Sequence, residues 1–205
     1  GAAPPAAATS TPAQAARGTI EVLSYNVAGL PDLLSGSSPA VNTPQISPLL
    51  NAYDLVLVQE DFSYHAALAR DASHPHQSVP QSGQTRLMND GLNRFSIHPF
   101  TPVQREIWAT CHGIWAAAND CLAAKGFSFA RHTLAPNVEI DVYNLHADAG
   151  GAQGDITARQ QQMEQLKNFI LLTSADRALV VAGDFNLHGF DPDDEPVFAR
   201  LLLTI

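Results

Sequence analysis

The chain has 205 residues, a length typical of a single domain that can bury a substantial core. Its formal net charge of −9 argues against a protein that holds nucleic acid by broad neutralisation of phosphates. A nuclease in which a bound cation supplies the positive charge is not excluded. No apolar run approaches the roughly 20 residues that a membrane-spanning helix needs.

Residues 1–17 consist almost entirely of small and polar residues and proline. This composition cannot bury enough apolar surface to order itself, so we predict a disordered leader. The segment resembles the start of a secreted protein after removal of its signal peptide. One globular domain is predicted over residues 18–205.

Two strands alternate with two short helices in the next part of the chain. Residues 19–27 are β-branched and partly alternating, which is typical of a strand. Residues 54–60 contain four consecutive apolar residues, which indicates a strand buried on both faces. Helices are predicted over 43–52, where Thr-Pro favours a helix start, and over 62–70.

Four more strands are predicted in the middle of the chain. Residues 91–97 and 103–109 have strand composition and are joined by a proline-containing turn. Residues 126–134 and 137–145 form a hairpin that turns at Ala-Pro-Asn. Their apolar content predicts that they belong to the core.

The two cysteines, Cys111 and Cys121, lie ten positions apart. A local disulfide between them would suggest an oxidising compartment, and a pair of buried free thiols is the alternative. Two cysteines without a matching histidine spacing do not make a zinc site.

The last part of the chain predicts the longest helix, over 156–173, with Asp155 as its cap. A short strand over 178–182 is apolar at every position, which again indicates burial on both faces. The acidic segment 191–195 is expected to be solvated and leads into a terminal helix over 196–203.

The sequence Gly183-Asp184-Phe185-Asn186 directly follows this apolar strand. Asp184 and Asn186 lie two positions apart, so they point the same way if the extended conformation continues. Such a pair can hold a water, a divalent cation or a phosphate oxygen. The alternative is an Asx turn that merely ends the strand.

Polar residues also follow three other apolar strands, and together they suggest one site. The five residues are Asn26, Glu60, His146, Asp184 and Asn186. Glu60 is a hard oxygen ligand that suits Mg²⁺ or Mn²⁺, with Asn26 beside it. His146 can contact a phosphoryl oxygen or carry a proton. Asp184 can orient a water, with Asn186 as a neutral donor to developing negative charge.

Simpler interpretations exist for each residue. Glu60 could be a solvated residue at a strand end, and His146 a buried histidine without a chemical role. The other histidines show no paired ligand spacing and are expected on the surface or in loops. They are His65, His74, His76, His98, His112, His132 and His188.

Four segments resemble the motifs of the endonuclease/exonuclease/phosphatase superfamily, which includes deoxyribonuclease I-like nucleases and neutral sphingomyelinases. They read LSYNV, VLVQE, NLHADAG and GDFN, and they occur in the family's order from about residue 19 onwards. The segments Asp120-Cys121-Leu122 and Lys125-Gly126-Phe127 look like those of secreted microbial members.

The resemblance implies a four-layered α/β sandwich, with two packed mixed β-sheets and helices outside. It also implies Glu60 as the main Mg²⁺ ligand with Asn26 beside it, and His146 in contact with the scissile phosphate. Asp184 and Asn186 would position the attacking water. The expected activity is hydrolysis of a phosphodiester, either a phospholipid such as sphingomyelin or nucleic acid, by a secreted enzyme that contacts a membrane surface transiently.

One departure from the family concerns the C-terminal side. The family ends with a further strand and an Asp-His pair, whereas this sequence stops at Ile205 with its last strands missing. We therefore expect weak activity or none, and an exposed sheet edge that invites a completing chain or self-association. The alternative function is a catalytically incomplete domain that acts as a binding or assembly module.

Overall fold

A computed structural model describes residues 18–82, 88–113, 120–187, 192 and 194–202. The leader predicted over 1–17 lies outside the described residues, as does His188. None of the described helices combines the length and apolar character needed to cross a membrane.

The strands and helices are distributed along the whole of the described chain. The strands are β1 (Val22–Asn26), β2 (Leu55–Gln59), β3 (His76–Gln77), β4 (Asn93–Ser96), β5 (Gln104–Ile107), β6 (Gly126–Ala135), β7 (Val138–His146) and β8 (Leu179–Asp184). The helices are α1 (Pro39–Ile46), α2 (His65–Ala69), α3 (Gln153–Thr173) and α4 (Glu195–Leu202), with 3₁₀ turns at Ser47–Ala52 and Asp120–Leu122.

The strands form two mixed sheets of four strands each. The order is β1-β2-β4-β3 in the first sheet and β5-β6-β7-β8 in the second. The pairs β1–β2 and β7–β8 are parallel, and the other pairs are antiparallel. With helices outside, this confirms the predicted α/β sandwich of two packed mixed sheets.

The buried run in β2 shows how the layers are built. Leu55 and Leu57 pack between the two sheets with Val142 of β7. Val56 and Val58 point the other way and pack under the helices of the first sheet. Successive side chains of a strand point to opposite faces, so a strand covered on both sides needs apolar residues at every position. The prediction of burial on both faces is confirmed for this strand.

The apolar run of β8 is different, because all six of its residues are only half-buried. Among the described residues β8 pairs with β7 alone and so forms an edge of the second sheet. The prediction that this strand is buried on both faces is therefore wrong. The strand also extends through Gly183 and Asp184, which were expected in the turn.

Some helix boundaries differ from the predicted ones. The first helix begins at Pro39, before the Thr-Pro pair, and continues as a 3₁₀ turn from Ser47. The helix predicted over 62–70 is limited to α2. The long helix begins at Gln153, so Asp155 lies inside its first turn, where its carboxylate accepts the Ala152 N–H at 2.9 Å.

A buried ion pair connects α3 with α4. The Arg159 guanidinium lies 2.9 Å from Asp194 Oδ1, and both side chains are buried. Arg159 also donates to the carbonyl oxygens of Asp148 and Gly150 in the loop that follows β7. The expectation that the acidic segment is solvated is wrong for Asp194, because it neutralises a buried arginine.

Arg94 and His132 form a polar cluster in the space between the sheets. Both are buried, with Arg94 Nη1 3.3 Å from His132 Nε2, and Arg94 also donates to the carbonyl and hydroxyl of Ser128. Burial lowers the pKa of Arg94 to about 9. Burial, assisted by the charge of Arg94, lowers the pKa of His132 to about 3. The expected surface or loop location is wrong for His132, which is buried in β6, whereas His74 is buried but lies in the loop between α2 and β3.

We expect the free energy of unfolding to fall as the pH drops below about 6.5, by up to about 1.4 kcal/mol per pH unit from His132 alone. The unfolded chain takes up a proton at the ordinary histidine pKa, whereas the folded chain resists it down to about pH 3. Denaturant titrations across this window measure the slope. In His132→Phe the new side chain can pack beside Phe100 and has no titratable group. The pH dependence of the free energy of unfolding should therefore decrease by the contribution of His132. An unchanged slope in this variant would contradict a neutral buried imidazole.

Candidate active site

The candidate active site forms where two pairs of parallel strands end at the same edge of the sandwich. In the first sheet, Asn26 is the last residue of β1 and Glu60 directly follows β2. In the second sheet, His146 and Asp184 end β7 and β8 and lie opposite each other in register. Asn186 follows two positions later. The structure thus brings all five predicted residues to one cavity.

The Asn26 side chain connects the ends of the two sheets. Its Nδ2 donates to Glu60 Oε1 at 2.9 Å and to Asp184 Oδ2 at 3.0 Å. Its Oδ1 accepts the Ala28 N–H at 2.9 Å, which fixes the orientation of the amide. The amide nitrogen therefore faces both carboxylates, and it holds two like charges close together that would otherwise repel each other.

His146 is buried beside the two carboxylates. Its Nε2 lies 3.9 Å from Glu60 Oε1 and 3.8 Å from Asp184 Oδ2, beyond direct hydrogen-bond distance. The Trp108 indole N–H donates to the His146 carbonyl at 2.7 Å and fixes the backbone. Burial and the positive charge of Lys125 lower the pKa of His146 to about 3, although Asp184 opposes this. Its Nδ1 is buried without a hydrogen-bond partner among the described residues.

The turn after β8 is an Asx turn, and it also directs a carboxylate oxygen of Asp184 towards the other polar residues of the site. Asp184 Oδ1 accepts the Asn186 N–H at 3.0 Å, as in an Asx turn, while Oδ2 faces Asn26. The Asn186 side chain donates to the Ala147 carbonyl at 2.9 Å. Burial raises the pKa of Asp184, but the hydrogen bond from Asn26 and the proximity of His146 outweigh it and hold the pKa below its ordinary value.

Three non-glycine residues at this site have a positive φ. Glu60 has a φ of +56°, Asn186 of +50° and Ala28 of +48°, in the left-handed region that non-glycine residues rarely adopt. The Glu60 carbonyl accepts the N–H of Gly29 at 3.0 Å and of Phe62 at 2.8 Å, which holds this conformation in place. Backbone strain of this kind is typical of functional sites, where contacts with the surrounding structure hold a residue in an unfavourable conformation.

Two glycines permit the close backbone approach that the site requires. At Gly183, with φ of +142°, a Cβ atom would collide with the Leu145 carbonyl oxygen of the neighbouring strand. At Gly91, with φ of +65°, a Cβ atom would lie 2.6 Å from the Phe62 ring and 3.0 Å from Glu60 Cα. Any larger residue would displace the strand ends that position Glu60 and Asp184.

A pair of buried amides locks the two sheets together just below the site. Gln59 Nε2 donates to Asn144 Oδ1 at 2.7 Å, and Asn144 Nδ2 donates to the Val58 carbonyl at 2.9 Å. Gln59 precedes Glu60, and Asn144 lies two residues before His146 on the same face of β7. The amide pair therefore fixes the distance between Glu60 and His146 across the two sheets.

Lys125 is a site residue that the sequence did not identify. It is buried and lines the same cavity of about 470 Å³ as Glu60, His146 and Asp184, and its Nζ lies 3.3 Å from the Ala147 carbonyl. It precedes the first residue of β6, so a search for polar residues at strand ends misses it. Because β6 runs antiparallel to β7, the start of β6 lies beside the end of β7.

The confirmed disulfide between Cys111 and Cys121 lies beside one wall of this cavity. The 3₁₀ turn that contains Cys121 continues into Leu122, which lines the cavity together with Met88. The Met88 N–H donates to the Leu122 carbonyl at 3.3 Å, and the Ala124 N–H donates to the Met88 carbonyl at 3.1 Å. The disulfide thereby anchors an apolar wall opposite the polar residues.

No family model matches the chain. The sphingomyelinases of Mycobacterium tuberculosis and Mycobacterium bovis are each 36% identical to it over 185 residues. Each alignment covers 86% of this chain and 36% of the relative. The chain thus spans about a third of the length of the curated relatives that it matches.

Solved structures share the fold at lower identity. A crystal structure of a β-toxin mutant from Staphylococcus aureus, with bound magnesium ions, has a TM-score of 0.76 and 18% identity, covering 89% of this chain and 70% of that chain. Sphingomyelinase C from Streptomyces griseocarneus has a TM-score of 0.76 and 19% identity, covering 90% of this chain and 70% of that chain.

Two packed mixed sheets, with acidic and amide side chains at the ends of their parallel strands, define an α/β sandwich of the deoxyribonuclease I-like type. The resemblance to the endonuclease/exonuclease/phosphatase superfamily that the four motifs predicted is confirmed by the similarity to these sphingomyelinases and by the shared fold.

Proposed function

We propose that the chain carries the catalytic site of a Mg²⁺-dependent phosphodiesterase, in which Mn²⁺ can replace Mg²⁺. The strongest support is the Asn26 amide, which holds the Glu60 and Asp184 carboxylates together at the cavity that Lys125 also lines. Negative groups that bind a cation, next to a positive group that binds an anion, suit a phosphate ester.

Glu60 is the residue that would hold the metal ion. Mg²⁺ needs one or two protein carboxylates, with waters and substrate oxygens completing its shell. The described residues contain no ready-made group of three or more His, Cys, Asp or Glu ligands, which agrees with such a sparse site. When bound, Mg²⁺ would neutralise charge on the phosphoryl group. Asn26 contributes by orienting Glu60, because its amide nitrogen faces the carboxylate.

The remaining polar residues act on the phosphate and on water. Asp184 orients the attacking water and accepts its proton. Asn186 has a second amide hydrogen besides the one that Ala147 accepts, and this hydrogen donates to an oxygen that gains charge. His146 contacts the scissile phosphate, and Lys125 supplies a fixed positive charge beside it. Together these residues would place hydrogen-bond donors and a positive charge beside the phosphate oxygens, where negative charge develops during hydrolysis.

The substrate is a phosphodiester, and a phospholipid such as sphingomyelin is favoured over nucleic acid. The net charge of −9 disfavours long contacts with a polyanion. The similarity to proteins called sphingomyelinases supports the same choice. The disulfide, which persists in oxidising compartments, supports a secreted protein.

A second candidate function is an assembly module without turnover. The edge of β8 is half-exposed, and among the described residues nothing pairs with that edge. His146 is also the one histidine that lines the cavity within the described ranges, so a second histidine that could transfer a proton is not in place there. A completing chain or a second copy would add a strand to this edge.

Hydrolysis of bis(p-nitrophenyl) phosphate by the purified chain tests the proposed function. We expect turnover with Mg²⁺, loss of turnover with a chelator, and recovery when Mg²⁺ or Mn²⁺ is restored. Sphingomyelin and single-stranded DNA, tested under the same conditions, identify the substrate class. Tight Mg²⁺ binding without turnover of any phosphodiester would instead support the assembly module.

A further inference from the structure

Two adjacent leucines in the loop that follows β1 are exposed to an unusual degree. Leu33 is 98% exposed and Leu34 is 70% exposed. Single exposed leucines are common on protein surfaces, but two in succession on a loop beside a cleft mark an interaction site more often.

Hydrogen bonds hold this loop in a fixed shape. The Pro31 carbonyl accepts the Leu34 N–H at 2.7 Å, and the Asp32 N–H donates to the Tyr64 hydroxyl at 3.2 Å. Asp32 Oδ1 also accepts the Ala40 N–H at the start of α1, at 3.1 Å. The leucines therefore stay exposed unless these bonds break, and the loop loses little conformational freedom when it binds a surface.

The loop is continuous with the active-site cavity. Leu30 and Leu34 line the cavity that contains Glu60 and His146. Leu33, next to Leu34, does not line the cavity and is almost fully exposed. A surface that receives Leu33 would therefore face the mouth of the cavity.

The charges around the loop select one kind of surface. Residues 18–69 contain no lysine or arginine, and three acidic residues, Asp32, Glu60 and Asp61, follow β1 or β2 at the same end of the strands as the loop. Such a segment is repelled by nucleic acid and by anionic lipid, both of which are held through basic residues. The remaining candidate is an interface without net charge that accepts apolar side chains. A zwitterionic phospholipid layer is such an interface.

We propose that Leu33 and Leu34 insert into the surface of a zwitterionic phospholipid layer and bring the cavity over the lipid headgroups. This inference rests on the proposed function, because the headgroup phosphodiester would be the group that enters the cavity. Attachment comes from apolar insertion, so it should depend little on salt.

Sedimentation with phosphatidylcholine–sphingomyelin vesicles tests the inference with Leu33→Asp. We expect its vesicle affinity to fall about tenfold or more, because one buried leucine side chain is lost and a charge is added. Leu172→Asp is the matched control, since Leu172 is 88% exposed near the far end of α3, away from the cavity. It should bind vesicles like the unchanged chain.

Kinetics separate a failure of docking from a failure of the proposed function. On vesicle sphingomyelin, Leu33→Asp should lose about tenfold more activity than on soluble bis(p-nitrophenyl) phosphate. Equal vesicle binding by the unchanged chain and Leu33→Asp, or binding to anionic vesicles alone, would overturn the docking surface. Absence of hydrolysis of both substrates, with the binding difference intact, would overturn the proposed function and leave the docking surface supported.

Discussion

Glu60→Gln is expected to abolish detectable Mg²⁺ binding and to lower phosphodiester hydrolysis by about 10³-fold. Glutamine has nearly the same shape and still offers an oxygen to the Asn26 amide, which donates to Glu60 Oε1 at 2.9 Å. The substitution therefore removes the charge and leaves the local packing in place. Calorimetric titration with Mg²⁺ and steady-state kinetics on a soluble diester measure both effects.

Glu21→Gln provides the matched control for this prediction. Glu21 is exposed just before β1, at the opposite end of the same parallel strand pair. The substitution Glu21→Gln removes the same charge from the same sheet, and it should change neither the Mg²⁺ affinity nor the turnover rate. If Glu60→Gln bound Mg²⁺ as tightly as the unchanged chain, Glu60 would not be the metal ligand.

Asp184→Asn should lower kcat by about 10²–10⁴-fold while Mg²⁺ affinity changes by less than about tenfold. Asparagine keeps one acceptor oxygen, which can retain the bond from the Asn186 N–H, while its NH2 group replaces the oxygen that accepts from Asn26. The turn is therefore retained, and the group that accepts a proton from water is lost. Separate measurement of kcat, KM and Mg²⁺ affinity distinguishes this role from metal binding.

Asp176→Asn is a suitable control, because Asp176 is exposed and asparagine tolerates its φ of +59°. It should leave kcat unchanged. A loss of Mg²⁺ binding in Asp184→Asn as complete as in Glu60→Gln would identify Asp184 as a second metal ligand. Unchanged kcat would exclude it from the chemical step.

The sequence was sufficient to predict the fold and five of the residues that line the site. The polar residues at the ends of four strands suggested one site, and the family resemblance of their motifs implied the two packed sheets. Strand ends are predictable because a strand places its last side chain at a definite edge of the sheet. Hence Asn26, Glu60, His146 and Asp184 lie together, as their motifs indicated.

Residues whose role depends on pairing between distant segments could not be predicted. Lys125 is buried at the cavity, where the Ala147 carbonyl after β7 accepts from its Nζ, and the predicted hairpin did not include this residue before β6. Asp194 is buried because Arg159 of another helix neutralises it. His132 is inward-facing because Arg94 and Phe100 surround it. In each case a tertiary partner outweighs the usual preference of a charged or polar residue for solvent.

The apolar run of β8 shows the limit of reasoning from composition alone. It has the same character as β2, yet β2 is covered on both faces and β8 is half-exposed. An apolar run shows that a strand is suited to burial, but the number of neighbouring strands decides how much of it is covered.

The hydrogen bond from Asn26 to Asp184 has a consequence for the order in which the candidate site forms. Asn26 and Asp184 are separated by 158 positions in the chain, and their hydrogen bond crosses from one sheet to the other. Contacts between such distant segments carry a large loop-closure entropy and form slowly, after the local hairpins and helices. The geometry of the candidate site therefore forms only after β1 and β8 have met, so ordered secondary structure precedes the completed site during synthesis and refolding.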